Sequence, residues 1–201
     1  MPRGSTGRRI VTRERLLASA PEVFAERGFH AASIEDVCGR AGLTRGAFYS
    51  NFSTKSELFL ALLEARSELF LTRLRAALAQ ALTQPDPVST FLALAGAPDQ
   101  DEHRWYVLSL EFTLQALREP AAAVALAAHD AAIEGEVGGI LRALVESTGR
   151  ELTVPPELLA RFAAALYKGA AAQVHRPDQR ALERFFLPVV LDALSREVGP
   201  L

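Results

Sequence analysis

The sequence predicts an all-α protein of about nine helices, with a small N-terminal three-helix domain over residues 1–53 and a larger helical domain over residues 54–201. Three observations lead there. Apolar residues recur at three- and four-residue spacing in almost every segment, strict alternation is sustained nowhere, and Pro- or Gly-containing breaks divide the chain into helix-length pieces. A chain of 201 residues with 49% hydrophobic content can bury a substantial core, as a small domain plus a larger one requires.

The most informative stretch is Ser33 to Phe59, SIEDVCGRAGLTRGAFYSNFSTKSELF. Ser33 and Asp36 have capping-box spacing, and Ile34, Val37, Cys38 and Ala41 then share one helical face. Gly42 suits the left-handed turn that ends the helix, and the chain restarts at Thr44. The result is a helix-turn-helix whose second helix, Thr44 to Ser50, opens with a hydroxyl, an arginine and a glycine. Those N-terminal positions are where a recognition helix meets base edges and phosphates. Phe48 and Phe52 sit where the small head needs packing. Cys38, the single cysteine, reads as a packed thiol.

Charge is distributed unevenly. The net charge is −2, yet residues 1–55 carry nine basic side chains against five acidic ones, so the N-terminal quarter is electropositive and the remainder acidic. This asymmetry suits a module that docks on phosphates. No run approaches the roughly 20 apolar residues of a membrane span, and the Arg-, Gly- and Ser-rich residues 1–9 have no apolar run behind them, so a cytoplasmic protein is expected.

The stretch from about residue 10 to residue 60 resembles the DNA-binding domain of the TetR family of bacterial transcriptional repressors. The family pattern runs from an N-terminal helix ending in AERGF through a small-residue turn to IA..AG(V/L)(S/T)(R/K)G..Y.(H/N)F..K..L. It is met by Ala25 to Phe29, Ser33 to Gly42 and Leu43 to Leu58. Asn51 stands where histidine is common, and Pro21 falls inside the first helix, where its missing amide predicts a kink or a register break. The resemblance implies a homodimer on a near-palindromic double-stranded operator, released by a small lipophilic effector. Within each head, Arg45 is the candidate for base readout. Thr44 and Gly46 are placed against sugar and phosphate, and Ser33, Tyr49, Asn51 and Lys55 complete the candidate contacts.

Beyond the head, Thr54 and Glu57 form a second box opening a long helix that stops at Gln84-Pro85-Asp86-Pro87. A short helix spans Val88 to Ala95. The next is boxed by Asp99 and Glu102 and runs to about Leu117, and an alanine-rich helix follows from about Ala121 to Val145. That helix is expected to bend near Gly135, Gly138 and Gly139. Pro155-Pro156 opens a helix ending near His175, and Pro177-Asp178 opens the last, which Pro188 interrupts.

These last two helices carry the candidate dimer face, Phe162, Leu166, Ala170, Phe185, Phe186, Val189 and Val190, which the resemblance implies pair with their copies in a four-helix bundle. In residues 103–118, Glu111 lies between Leu110 and Phe112, a costly place for a carboxylate unless it is paired, hydrogen-bonded or beside a cavity. Apolar walls with a few polar groups suit a pocket, and the candidates are Phe70, Phe91, Trp105, Ser109, Glu111, Phe112 and Phe162, all equally able to be plain core. A regulator that answers to a protein partner instead of a ligand is the alternative. An all-α enzyme is less supported: His30, His103, His129 and His175 are widely separated, and no metal-ligand spacing, phosphate-binding loop or serine elbow is present, so neither metal nor cofactor is expected.

Overall fold

The computed structural model describes residues 4–96, 101–173 and 181–198, without the side chains of residues 4–6 and 181–184. Among these residues the chain forms nine helices: α1 (Gly4–Ala31), α2 (Ile34–Ala41), α3 (Arg45–Tyr49), α4 (Lys55–Ala81), α5 (Pro87–Ala95), α6 (Glu102–Ala116), α7 (Pro120–Glu146), α8 (Pro156–Ala171) and α9 (Ala181–Ala193). The expected contributions of Asp99, His175, Pro177 and Asp178 lie outside the described residues.

Helix ends follow local chemistry. Ser33 caps α2 through a complete capping box with Asp36, and Gly42 closes that helix at φ 63° and ψ 39°, the left-handed geometry a glycine adopts without Cβ strain. Thr44 caps α3 by accepting from the Ala47 amide. The Glu57 amide donates to Thr54 Oγ1 at 3.0 Å, but the Glu57 carboxylate reaches back one residue further than a box requires, to the Ser53 amide at 2.6 Å. Asp86 caps α5, with Pro87 at its first position, where a missing amide costs nothing.

Three expectations fail. The backbone stays helical through Pro21, and the break in α1 falls at Gly28, with φ 77° and ψ 154°. Pro188 likewise sits inside α9 without ending it. And two short strands occur, β1 (Arg150–Leu152) and β2 (Ser195–Glu197), paired antiparallel. Three residues per strand are too few for alternation to register in sequence. The ribbon is locked by Arg150, whose guanidinium donates to the Ser195 hydroxyl and carbonyl and to the Asp192 carbonyl, and by the cross-strand pair Arg196–Glu151 at 2.6 Å.

Packing divides the chain into two compact units, residues 1–66 with 104–127, and residues 67–103 with 128–201. The first is built on Leu16, Phe24, Phe29, Val37, Phe48, Phe52, Phe59, Leu108 and Phe112, so α6 supplies side chains to the same core as the helix-turn-helix. Phe59 and Phe112 stack at 4.4 Å between ring centroids, and Phe29 meets both edge-on at 5.2 and 5.4 Å. Cys38 is buried here, which pushes its thiol pKa upward and keeps it protonated, with Sγ 3.6 Å from the Thr44 carbonyl. The second unit is built on Leu71, Leu74, Phe91, Leu141, Leu144, Leu159 and Leu191.

In the second unit, Gly138 explains one of the glycines expected to bend α7. A Cβ there would lie 2.8 Å from the Pro156 carbonyl carbon, so the glycine admits the start of α8 against α7. Helix propensity alone assigns Gly138→Ala a gain of about 1 kcal/mol. The close backbone reverses the sign: the substitution is expected to destabilise by about 1–3 kcal/mol, measured by urea unfolding. A gain in stability would contradict this packing.

Candidate nucleic-acid interface

The helix-turn-helix is held by charged groups that reach its corners from other helices. At the end of α1, Glu111 of α6 accepts a hydrogen bond from the Phe29 amide, and its oxygens lie 3.1 and 3.2 Å from where a Gly28 Cβ would be. Lys55, at the start of α4, donates from Nζ to the carbonyls of Phe29, His30 and Ala32 at 2.6, 3.0 and 2.7 Å, and lies over the Phe29 ring. One end of the corner is bound by an anion, the other by a cation. Burial moves the Lys55 pKa down, in keeping with an ammonium drawn into the fold. Arg15 closes α2 in the same manner, donating to the Ala41 carbonyl at 2.6 Å.

Several predicted contact residues are therefore already engaged. Lys55 has three donors and three carbonyl partners, which corrects its assignment as a phosphate contact: its ammonium closes α1. Ser33 donates its hydroxyl to Asp36 Oδ2 at 2.7 Å and accepts from the Asp36 amide, so it serves as a cap. Asn51 uses its amide nitrogen on the Ala47 carbonyl and the Ser50 hydroxyl at the end of α3, while its Oδ1 is buried without a partner. None of the three presents a free donor.

The remaining four lie together on α3 and its cap. Thr44 opens the helix, and Gly46 faces open space apart from the Thr44 hydroxyl at 3.8 Å from its notional Cβ. Arg45 and Tyr49 are exposed one turn apart, with Arg45 Nη2 3.4 Å from the Tyr49 phenol. Tyr49 stands edge-on to the buried Phe48, which leaves its hydroxyl outward. Sequence reasoning missed a fifth participant. Glu35, in the first turn of α2, pairs with Arg45 at 2.7 Å, and the phenol and this carboxylate together raise the Arg45 pKa. An acidic side chain in the first turn of a helix ordinarily answers the helix dipole, so nothing in the sequence signalled a role beyond that.

Much of the head's positive charge is likewise balanced internally. Arg40 pairs with Glu22 at 2.8 Å and Glu26 at 2.5 Å, and Arg27 with Asp36 at 3.0 Å. Arg13 lies over the Phe52 ring at 4.7 Å. Arg8 and Arg9, exposed near the start of α1, have no ion-pair partner among the described residues.

The pocket candidates are divided between the two compact units. Trp105, Ser109, Glu111 and Phe112 belong to the first compact unit, and Phe70, Phe91 and Phe162 to the second. Glu111 is hydrogen-bonded to the α1 corner, and Phe112 is buried in the first core. Ser109 bonds its own helix at Tyr106, Trp105 packs at the edge of the first core under Arg66, and Phe91 is buried in the second core. Phe70 and Phe162 are exposed.

On α8 and α9, Phe162, Phe185, Phe186 and Val189 are exposed, while Leu166 and Val190 are half-buried. Ala170 is 1% exposed and faces its own protomer, so it is corrected from interface to interior.

Residues 16–62 match the family model described as bacterial regulatory proteins, tetR family, the same span that builds this head. Over those residues the chain is similar to the TetR-family regulators that the model describes. It is 40% identical over 76 residues to the HTH-type transcriptional activator FasR of Mycolicibacterium smegmatis, an alignment covering 38% of this chain and 35% of that protein. It is 35% identical over 114 residues to the HTH-type transcriptional regulator CymR of Pseudomonas putida, covering 57% and 55%. The chain thus spans about a third to about half the length of these curated relatives. A TetR transcription regulator from Haloarcula marismortui superposes with a TM-score of 0.67 at 18% identity, covering 92% of this chain and 98% of that one, a likeness of fold. No helix among the described residues is long and apolar enough to cross a membrane.

The α2 cap carries a pH signature. Hydrogen bonds from the Ser33 hydroxyl and amide, with Arg27 nearby, hold the Asp36 pKa below its ordinary value. A depressed carboxyl contributes stability that is present above its unfolded pKa and lost as pH falls through the folded one. Ser33→Ala is therefore expected to raise the Asp36 pKa toward the ordinary carboxylate value and to shift acid unfolding to higher pH. NMR titration of the Asp36 carboxyl checks this, and an unchanged midpoint would refute the cap's electrostatic role.

Proposed function

We propose that the protein is a sequence-specific DNA-binding transcriptional regulator, a homodimer whose two copies of α3 enter successive major grooves of a near-palindromic operator. The observation that carries this reading is the exposed row Thr44, Arg45, Gly46 and Tyr49 on a five-residue helix whose buried side, Phe48, is fixed in the head's core. The family-model match over residues 16–62 supports it, as does similarity to relatives named as transcriptional regulators. Arg45 reads a base, preferably guanine, because a guanidinium donates two bonds to that major-groove edge. Tyr49 and the Thr44 and Gly46 backbone meet sugar and phosphate. Arg8 and Arg9, without an ion-pair partner among the described residues, add phosphate contacts.

Residues 1–53 serve as the DNA-binding domain and residues 54–201 as the dimerisation and effector domain. Exposed Phe162, Phe185, Phe186 and Val189 are the groups a second copy would cover. Each is already partly withdrawn from water, so covering what remains exposed gains about 1 kcal/mol apiece. Two-fold symmetry then sets the recognition helices about 34 Å apart. The protein acts in the cytoplasm as a repressor, released by a small lipophilic effector that binds residues 54–201.

Selection from random duplexes followed by titration tests this. The full chain is expected to enrich an inverted repeat and to lose affinity steeply with salt. Arg45→Ala should relax the preference at one position of each half-site by about 1–3 kcal/mol while leaving the salt slope nearly intact. A monomer that enriches no inverted repeat would overturn the proposal.

A further inference from the structure

We propose that Glu35 is a specificity-determining residue that reads a single G·C base pair jointly with Arg45. The inference rests on the reading that α3 meets duplex DNA and deepens it. Glu35 Oε1 lies 2.7 Å from Arg45 Nη1, and the two side chains are 53% and 61% exposed. An ion pair so exposed contributes little to folding. Its geometry matters more. Arg45 stands between the Glu35 carboxylate and the Tyr49 phenol, which restricts a long side chain before any DNA arrives.

The pair presents a row of donors beside an acceptor. A guanidinium only donates and a carboxylate only accepts. Across the major-groove edge of a G·C pair, the guanine N7 and O6 acceptors are followed by the cytosine N4 amino donor, the complementary order. An A·T pair fails this row: its central group is the adenine amino donor, which opposes the guanidinium, and the thymine O4 acceptor opposes the carboxylate. Glu35 thus rejects the wrong pair as well as accepting the right one.

The other acids near this face are otherwise occupied. Glu22 and Glu26 bind Arg40, and Asp36 binds Ser33 and Arg27. Glu35 remains as a carboxylate beside the contact helix, where its charge opposes phosphates. It lowers affinity for all duplexes and recovers the loss only where a cytosine amino group meets it.

Glu35→Gln is the test. The full-length wild type and the variant are titrated, at one salt concentration, against the duplex the wild type selects and against every single base-pair change of one half-site. The wild type is expected to require G·C at the position that Arg45→Ala relaxes. Glu35→Gln should lose about tenfold of discrimination at that position alone, and bind random duplex more tightly. The amide is nearly isosteric and the side chain exposed, so the fold is retained, checked by an unchanged thermal melt. Preferences unchanged at every position, or weakened equally at all of them, would overturn the inference while leaving the proposed function standing. A wild type that selects no duplex would overturn both.

Discussion

The corner where α1 turns into α2 is the constraint on which the head depends. Gly28 takes a left-handed conformation there, so the chain leaves the helix with backbone groups unsatisfied. The Phe29 amide is taken by the Glu111 carboxylate of α6, and the carbonyls of Phe29, His30 and Ala32 are taken by the Lys55 ammonium of α4. Beneath them, Phe24, Phe29, Phe59 and Phe112 form a closed aromatic cluster. A half-buried carboxylate without partners would be costly, and so would orphaned helix-end groups. Each solves the other's problem, and the angle between α1 and α2 is set as a result.

With that corner fixed, α2 and α3 inherit defined positions. Arg15 and Gly42 close α2, Thr44 opens α3, and Phe48 pins its inner side. What is left outward is small: a hydroxyl, a glycine, an arginine and a phenol, with Glu35 beside the arginine. The head is basic by count, yet Arg15, Arg27, Arg40 and Lys55 act inside the fold. Positive charge in a sequence therefore overstates what a nucleic acid would meet.

The helices and their caps were legible because they depend on neighbours within four residues: Ser33 with Asp36, Gly42 after Ala41, Thr44 before Ala47. Phe48 and Phe52 could be assigned to the core from position alone, and both are buried. Roles decided by distant partners were not legible. Lys55 is 26 residues from Phe29, and Glu111 is 82 residues from it. The sequence marked Glu111 as a carboxylate in need of a partner but left open whether that partner was a backbone amide or a ligand. Pro21 and Pro188 were read by propensity, yet each lies within a continuous helix. The two strands escaped notice because their stability comes from Arg150 and Ser195, 45 residues apart, rather than from any pattern of alternation.

Hydrogen exchange at the Phe29 amide, compared between the wild type and Glu111→Ala, tests the central claim most directly. If the α6 carboxylate holds the α1 corner, the Phe29 amide should exchange at least about tenfold faster in the variant while amides of α8 keep their protection. Equal protection of Phe29 in the two proteins would contradict it.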